Sequence, residues 1–206
     1  VITVGDQPAT GGPRRRRAAV AGHEGDGATA RSLLDDPQPS VRATALAALV
    51  RADQATDDDL RAGLADSSPV VRRRAVALAV GRRPIVLVPV LDDPDPAVVE
   101  QAAWACGERA PAEPGAVAAL SGLATGHDDP LVREAAVAAL GALGETAGLP
   151  AILTATGDKP AVRRRAVLAL APFEGPEVDA ALARALEDRD WQVRQAAEDL
   201  LDPRAT

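Results

Sequence analysis

Few side chains in this sequence are of a type that does covalent or metal chemistry. The 206 residues include two histidines and one cysteine. His23-Glu24 sets an imidazole beside a carboxylate, a donor pair suited to a transition metal. The pair occurs once: the other histidine, His127, is followed by Asp128-Asp129. Cys106 alone forms no disulfide framework, zinc ribbon or cysteine-bound cluster within one chain. No nucleophile–base pair, P-loop or dinucleotide fingerprint is present. The expectation is therefore no catalytic residue, no metal and no cofactor. What remains is arginine, carboxylate and a rare tryptophan. Arg73-Arg74 and Arg164-Arg165 are suited to phosphate contacts. Arg14 to Arg17 suits an anionic surface, or else is a solvated end.

Composition limits the elements that position these groups. The chain is 47% hydrophobic but has only two Trp, one Phe and no Tyr or Met. Its core must be built from Ala, Leu and Val. Alanine is the best helix former and leaves little side chain between helices, so close-packed helices are favoured over a β-sandwich. The net charge of −7 argues against a surface that grips nucleic acid throughout, though a local basic patch is compatible with it. No apolar run approaches the roughly 18 residues of a membrane span. The segment after Arg17 is too short and weakly apolar for a signal peptide, so the expected compartment is cytoplasmic.

A Pro-x-Val-Arg phrase recurs through the chain. Its valines are Val41, Val71, Val98, Val132, Val162 and Val193, spaced by 30, 27, 34, 30 and 31 residues. Four residues after each stands Ala45, Ala75, Ala102, Ala136, Ala166 and Ala197. Two before stands Pro39, Pro69, Pro96, Pro130 and Pro160, with Trp191 in the last repeat. Offsets 0, 4, 5, 7 and 8 from the valine share one side of a 3.6-residue helix. Proline fits the first helical position because its missing N–H has no partner there anyway. Ser68, Asp95, Asp129 and Asp190 precede that position as N-caps. Each repeat thus ends in an amphipathic helix of about 12 residues, designated helix B. Weaker apolar segments lie between: 28–34, 59–65, 85–91, 116–124, 149–155 and 178–186. Each is expected to be a helix A, the third short and strained by Pro89.

This pattern resembles the HEAT-repeat family, in particular the short bacterial-type repeats named after phycobilisome lyases. The resemblance rests on a turn aspartate (Asp36, Asp66, Asp93, Asp188), the valine, and the arginine after it (Arg42, Arg72, Arg133, Arg163, Arg194), with His127, Gly157 and Val99 as exceptions. It implies an all-α fold, a right-handed α-α superhelix of about six hairpins, with B helices lining the concave face. An N-terminal half-unit beginning near Arg15 is expected to cap it. Residues 14–202 form one solenoid domain in this reading, with tails at 1–13 and 203–206. The repeated Arg and Asp are expected to pair and set the stacking. Trp191 is expected to pack under the terminal cap, and Cys106 to be an inert core residue.

Offsets 2, 3 and 6 of helix B face away from the apolar stripe, and there the repeats diverge. These positions hold Arg73 and Arg74, then Glu100, Gln101 and Trp104, then Glu134, then Arg164, Arg165 and Leu168. Trp104 stands where most repeats place Ala. It is either an anchor for a bound segment or an edge of the core. The function expected is a non-catalytic scaffold binding a protein or peptide segment in this groove. A nucleic-acid-binding or repair module using the Arg pairs is the second reading. The third is an enzyme of a HEAT-bearing family, such as deoxyhypusine hydroxylase or a bilin lyase; the single His-Glu pair and the lack of a bilin pocket signature weigh against it.

Overall fold

The computed structural model describes residues 11–202. Among them are twelve α-helices, two 3₁₀ segments and no strand. The fold is an all-α solenoid of helical hairpins. The described residues divide after Ile85 into two compact units. The tails expected at 1–13 and 203–206 fall mostly outside the described residues, but Gly12 and Pro13 already belong to the first helix.

The first unit contains α1 (Gly12–Glu24), α2 (Gly27–Ser32), α3 (Pro39–Arg51), α4 (Asp57–Leu64) and α5 (Pro69–Ala79). Here α1 packs on α3 and α3 on α5, with α2 and α4 as the intervening A helices. The second unit begins with a 3₁₀ segment, Val88–Asp92. It continues with α6 (Pro96–Gly107), α7 (Ala116–Gly126), α8 (Pro130–Leu143), α9 (Leu149–Ala155), α10 (Pro160–Ala169), α11 (Pro176–Leu186) and α12 (Trp191–Leu201). Its B helices α6, α8, α10 and α12 pack in succession. The third helix A is therefore a 3₁₀ turn. The valine spacing there is the shortest in the chain, and Pro89 supplies no N–H for an α-helical ladder.

The B helices form for the expected reasons. Proline occupies the first turn of α3, α5, α6, α8 and α10. Asp95, Asp129 and Asp190 accept hydrogen bonds from the N–H groups of Ala97, Leu131 and Gln192. Ser68 precedes α5 without a side-chain cap bond. In α3, α6, α8 and α10 all five apolar offsets are buried. The last repeat departs from this: Glu198 and Leu201 are exposed at core offsets, since no described helix follows α12 to cover them.

The repeated arginine and aspartate form a ladder with a fixed direction. Arg42 donates from Nε and Nη2 to both carboxylate oxygens of Asp66, at 2.8 and 2.7 Å, in the next turn. Its Nη1 donates to the carbonyl of Asp36 in its own turn, at 2.8 Å. Arg133 does the same with Asp158 and His127 O, and Arg163 with Asp188 and Asp158 O. Asp158, not the neighbouring Gly157, is thus the turn aspartate of its repeat. It stands one residue nearer the proline and accepts from the next N–H, of Lys159, at 2.6 Å. The other turn aspartates accept from the second N–H on, as Asp66 does from Ser68.

One rung is built without charge. Val99 is buried at the arginine position of α6. At the aspartate position of the next turn, His127 Nδ1 accepts the Asp129 N–H at 3.0 Å, which places the ring proton on Nε2. Both partners are replaced together, so no lone ion is left half-buried.

The ladder makes stability depend on acid. Hydrogen bonds from Arg42, Arg133 and Arg163 hold the carboxyls of Asp66, Asp158 and Asp188 below the ordinary aspartate value. The folded chain then binds fewer protons than the unfolded one between the two values. The stabilisation is complete above the unfolded pKa, about 3.9, and is lost as pH falls through the folded values. Thermal melts followed by circular dichroism are expected to show a level midpoint from about pH 7 to 5 and a decline below about pH 4. A midpoint still level at about pH 2 would mean the ladder carboxylates contribute nothing.

Candidate functional site

The variable offsets of the second unit come together because their helices are neighbours. Glu100, Gln101 and Trp104 lie on α6, Glu134 on α8, and Arg164, Arg165 and Leu168 on α10; α8 packs against both of the others. Trp104 is 45% exposed, so it is a surface residue and not an edge of the core. Glu100, one helical turn before it, is also exposed, and Gln101 and Leu168 are half-buried. Arg165 lies 3.3 Å from Glu134 through Nη2, joining α10 to α8 across the face. Arg164 is exposed. The second arginine pair is therefore half engaged within the protein. Arg73 and Arg74 are exposed on α5, in the first unit.

Trp191 departs from expectation: it is 64% exposed. It opens α12 at the position where other repeats carry proline, and none of those prolines is buried either. A side chain there leaves the helix away from the apolar stripe. Cys106 is buried as expected, and burial together with the Glu113 charge pushes its thiol up to about 11.

Each histidine has a local role. His23 Nε2 sits 3.2 Å from the Arg51 guanidinium of α3, and His127 replaces a turn carboxylate. The two lie in different units. Among the described residues no group of three or more His, Cys, Asp or Glu is placed to share a metal ion, and no helix is long and apolar enough to cross a membrane.

Two features are invisible in the repeat pattern. Arg109 is 1% exposed and pairs with Glu113. Glu113 Oε2 in turn accepts the N–H groups of Leu87 and Val88, at 2.9 and 3.2 Å, where the 3₁₀ segment begins. A buried arginine thus holds the carboxylate that satisfies this weak helix start. Arg14 is the other. Its Nε lies 3.0 Å from Asp36 Oδ2, an ion pair in ladder register. Four consecutive arginines conceal that register in the sequence.

The comparisons agree with this geometry. A family model described as HEAT repeats matches residues 85–160 and 127–202, together more than half of the chain. No curated protein matches the chain. Among solved structures, YibA of Escherichia coli is similar with a TM-score of 0.62 and 19% identity, over 94% of this chain and 74% of that one. Human deoxyhypusine hydroxylase in complex with glycerol gives 0.48 and 22%, over 96% and 80%. A designed armadillo repeat protein in complex with the peptide (KR)4 gives 0.49 and 18%, over 92% and 89%. At 19% identity the likeness to YibA shows the fold alone. The family match, with the Pro-x-Val-Arg helices and the Arg–Asp ladder, places this chain in the HEAT-repeat family.

Proposed function

We propose that this chain is a non-catalytic scaffold that binds a segment of another protein on its B-helix face. The observation that carries the reading is Trp104, exposed at an offset where the other repeats hold Ala47, Ala77, Ala138, Leu168 and Asp199. An exposed indole does not serve the stack, whose core is complete without it. A large rigid side chain ringed by polar groups is the usual centre of a binding hot spot. Glu100, Gln101, Glu134, Arg164, Arg165 and Leu168, all of the second unit, would form its surround. The finer expectations belong to the same reading: short repeats of the phycobilisome-lyase type, and a cytoplasmic setting.

A pull-down comparing wild type with Trp104→Ala plus Arg164→Glu tests it. Both residues are exposed, so the melting midpoint is expected to hold. Loss of the specifically recovered partner is the expected result, by about tenfold or more for a central Trp hot spot. Unchanged recovery would remove the site.

A further inference from the structure

The register of α1 gives its arginines a different meaning. Arg14 lies within ion-pair distance of Asp36, at the place a ladder arginine takes beside the next turn. Gly22 lies against the backbone of Ala48 as Gly107 lies against Ala139 and Gly141 against Ala169. Both correspondences align residue 13 with the repeat valine. Arg15, Arg16 and Ala19 then take offsets 2, 3 and 6, those of Arg73, Arg74 and Ala77 on α5. The structure bears this out directly: Arg15, Arg16 and Ala19 line one open hollow together with Thr44, the offset-3 residue of α3.

The first unit therefore presents two arginine pairs on its B-helix face, one at each outer helix. Between them α3 offers only Ala43, Thr44 and Ala47, and the Thr44 hydroxyl is turned back onto the Ser40 carbonyl at 2.7 Å. Arg15, Arg16, Arg73 and Arg74 are all exposed, and none pairs with another described residue. The contrast with the ladder is plain, since there every described arginine has an acceptor.

We propose that this face is a docking site for a short acidic peptide segment. Adjacent packed helices lie about 8–10 Å apart, so the two pairs are separated by about 16–20 Å. An extended peptide at about 3.3 Å per residue bridges that distance with about six residues. Carboxylates near its two ends each meet a guanidinium pair, whose forked donors match a carboxylate bidentately. The small side chains of α3 let the backbone lie close. Charge selects a short segment over a nucleic acid. The chain as a whole carries −7, and residues 86–206 hold twenty acidic against ten basic residues, while residues 1–85 hold ten acidic and thirteen basic. A long polyanion is repelled by that balance; a segment that ends within the four arginines is not. The site lies wholly in the first unit and does not rest on the scaffold reading, which is centred on Trp104 of the second.

The test is fluorescence anisotropy of a labelled peptide of alternating Glu and Ser, about twelve residues long, titrated with the full chain at about 50 and about 300 mM salt. Saturable binding that weakens with salt is expected. Arg15→Glu with Arg16→Glu, and separately Arg73→Glu with Arg74→Glu, are each expected to weaken it about tenfold. Arg15→Gln with Arg16→Gln, which removes charge without reversing it, is expected to weaken it about threefold. Trp104→Ala leaves it unchanged, which separates this site from the scaffold site. Absence of saturable binding overturns the proposal, as does binding indifferent to the Arg15 and Arg16 changes. Tighter binding of a single-stranded oligonucleotide of equal charge overturns it in favour of nucleic acid.

Discussion

Replacing Arg163 by Val is expected to destabilise the second unit by about 2–3 kcal/mol, because one removed partner leaves the other charge half-buried. Arg163 has 8% and Asp188 15% of the side chain exposed. The substitution removes two charge-assisted bonds to Asp188 and one bond to the Asp158 carbonyl. A fully buried pair broken on one side costs about 3–5 kcal/mol; the residual exposure of Asp188 lowers that figure. The sharper result is the second change. Arg163→Val with Asp188→His copies the rung that this protein already builds from Val99 and His127. The imidazole can take over the turn bond that Asp188 accepts from the Asp190 N–H at 2.8 Å, as His127 does for Asp129. No unpaired carboxylate then remains, and the double variant is expected to recover most of the loss. Urea melts by circular dichroism of wild type, both single variants and the double complete the cycle. A double variant no more stable than Arg163→Val alone would show that the uncharged rung depends on other features of its own repeat.

That rung also shows what the sequence made legible and what it did not. The B helices could be placed almost to the residue, because proline at the first turn, a capping aspartate and apolar offsets all report one local geometry. The partners of the ladder arginines were legible as types but not as a direction: own-turn carbonyl and next-turn carboxylate differ only in three dimensions. Asp158 was missed because its turn is one residue shorter, which moved the carboxylate off the expected position. Arg109 and Glu113 lie in a connection with no counterpart in other repeats, so no register pointed to them. The division after Ile85 did have a signal, the 27-residue spacing from Val71 to Val98, which predicted a strained helix and not a boundary. Trp104 could be singled out only by subtracting the repeat, and only its exposure separates an anchor from a core edge. Arg15 and Arg16 needed Gly22, whose close approach to Ala48 no pattern of residue types reveals.

Gly141→Ala is expected to destabilise while Gly122→Ala stabilises, although both glycines are helical and the substitution is the same. In a helix the change by itself gains up to about 1 kcal/mol, since alanine loses less backbone entropy. At Gly122 of α7 an added Cβ meets nothing within 4 Å, so that gain stands, at about 0.5–1 kcal/mol. At Gly141 of α8 the Cβ would lie 2.7 Å from both Cα and Cβ of Ala169 on α10, and 3.1 Å from its carbonyl oxygen. Carbon atoms prefer about 3.5–4.0 Å, so the helices must part by close to 1 Å at this point. No rotamer change relieves it, because two of the three atoms are backbone. Overpacking of this kind costs about 1–3 kcal/mol beyond any propensity gain, and the net sign is destabilising. Ala169→Gly in the same chain is expected to rescue only part, since the Ala169 Cα remains in the way. Thermal or urea melts of wild type and the three variants decide the matter; Gly141→Ala at or above wild-type stability would show that α8 and α10 separate without cost. The same helix pair carries Glu134 and Arg165, which meet at 3.3 Å. A contact set by backbone against backbone is what keeps their spacing fixed, so parting the helices at Gly141 is expected to weaken that ion pair along with the stack.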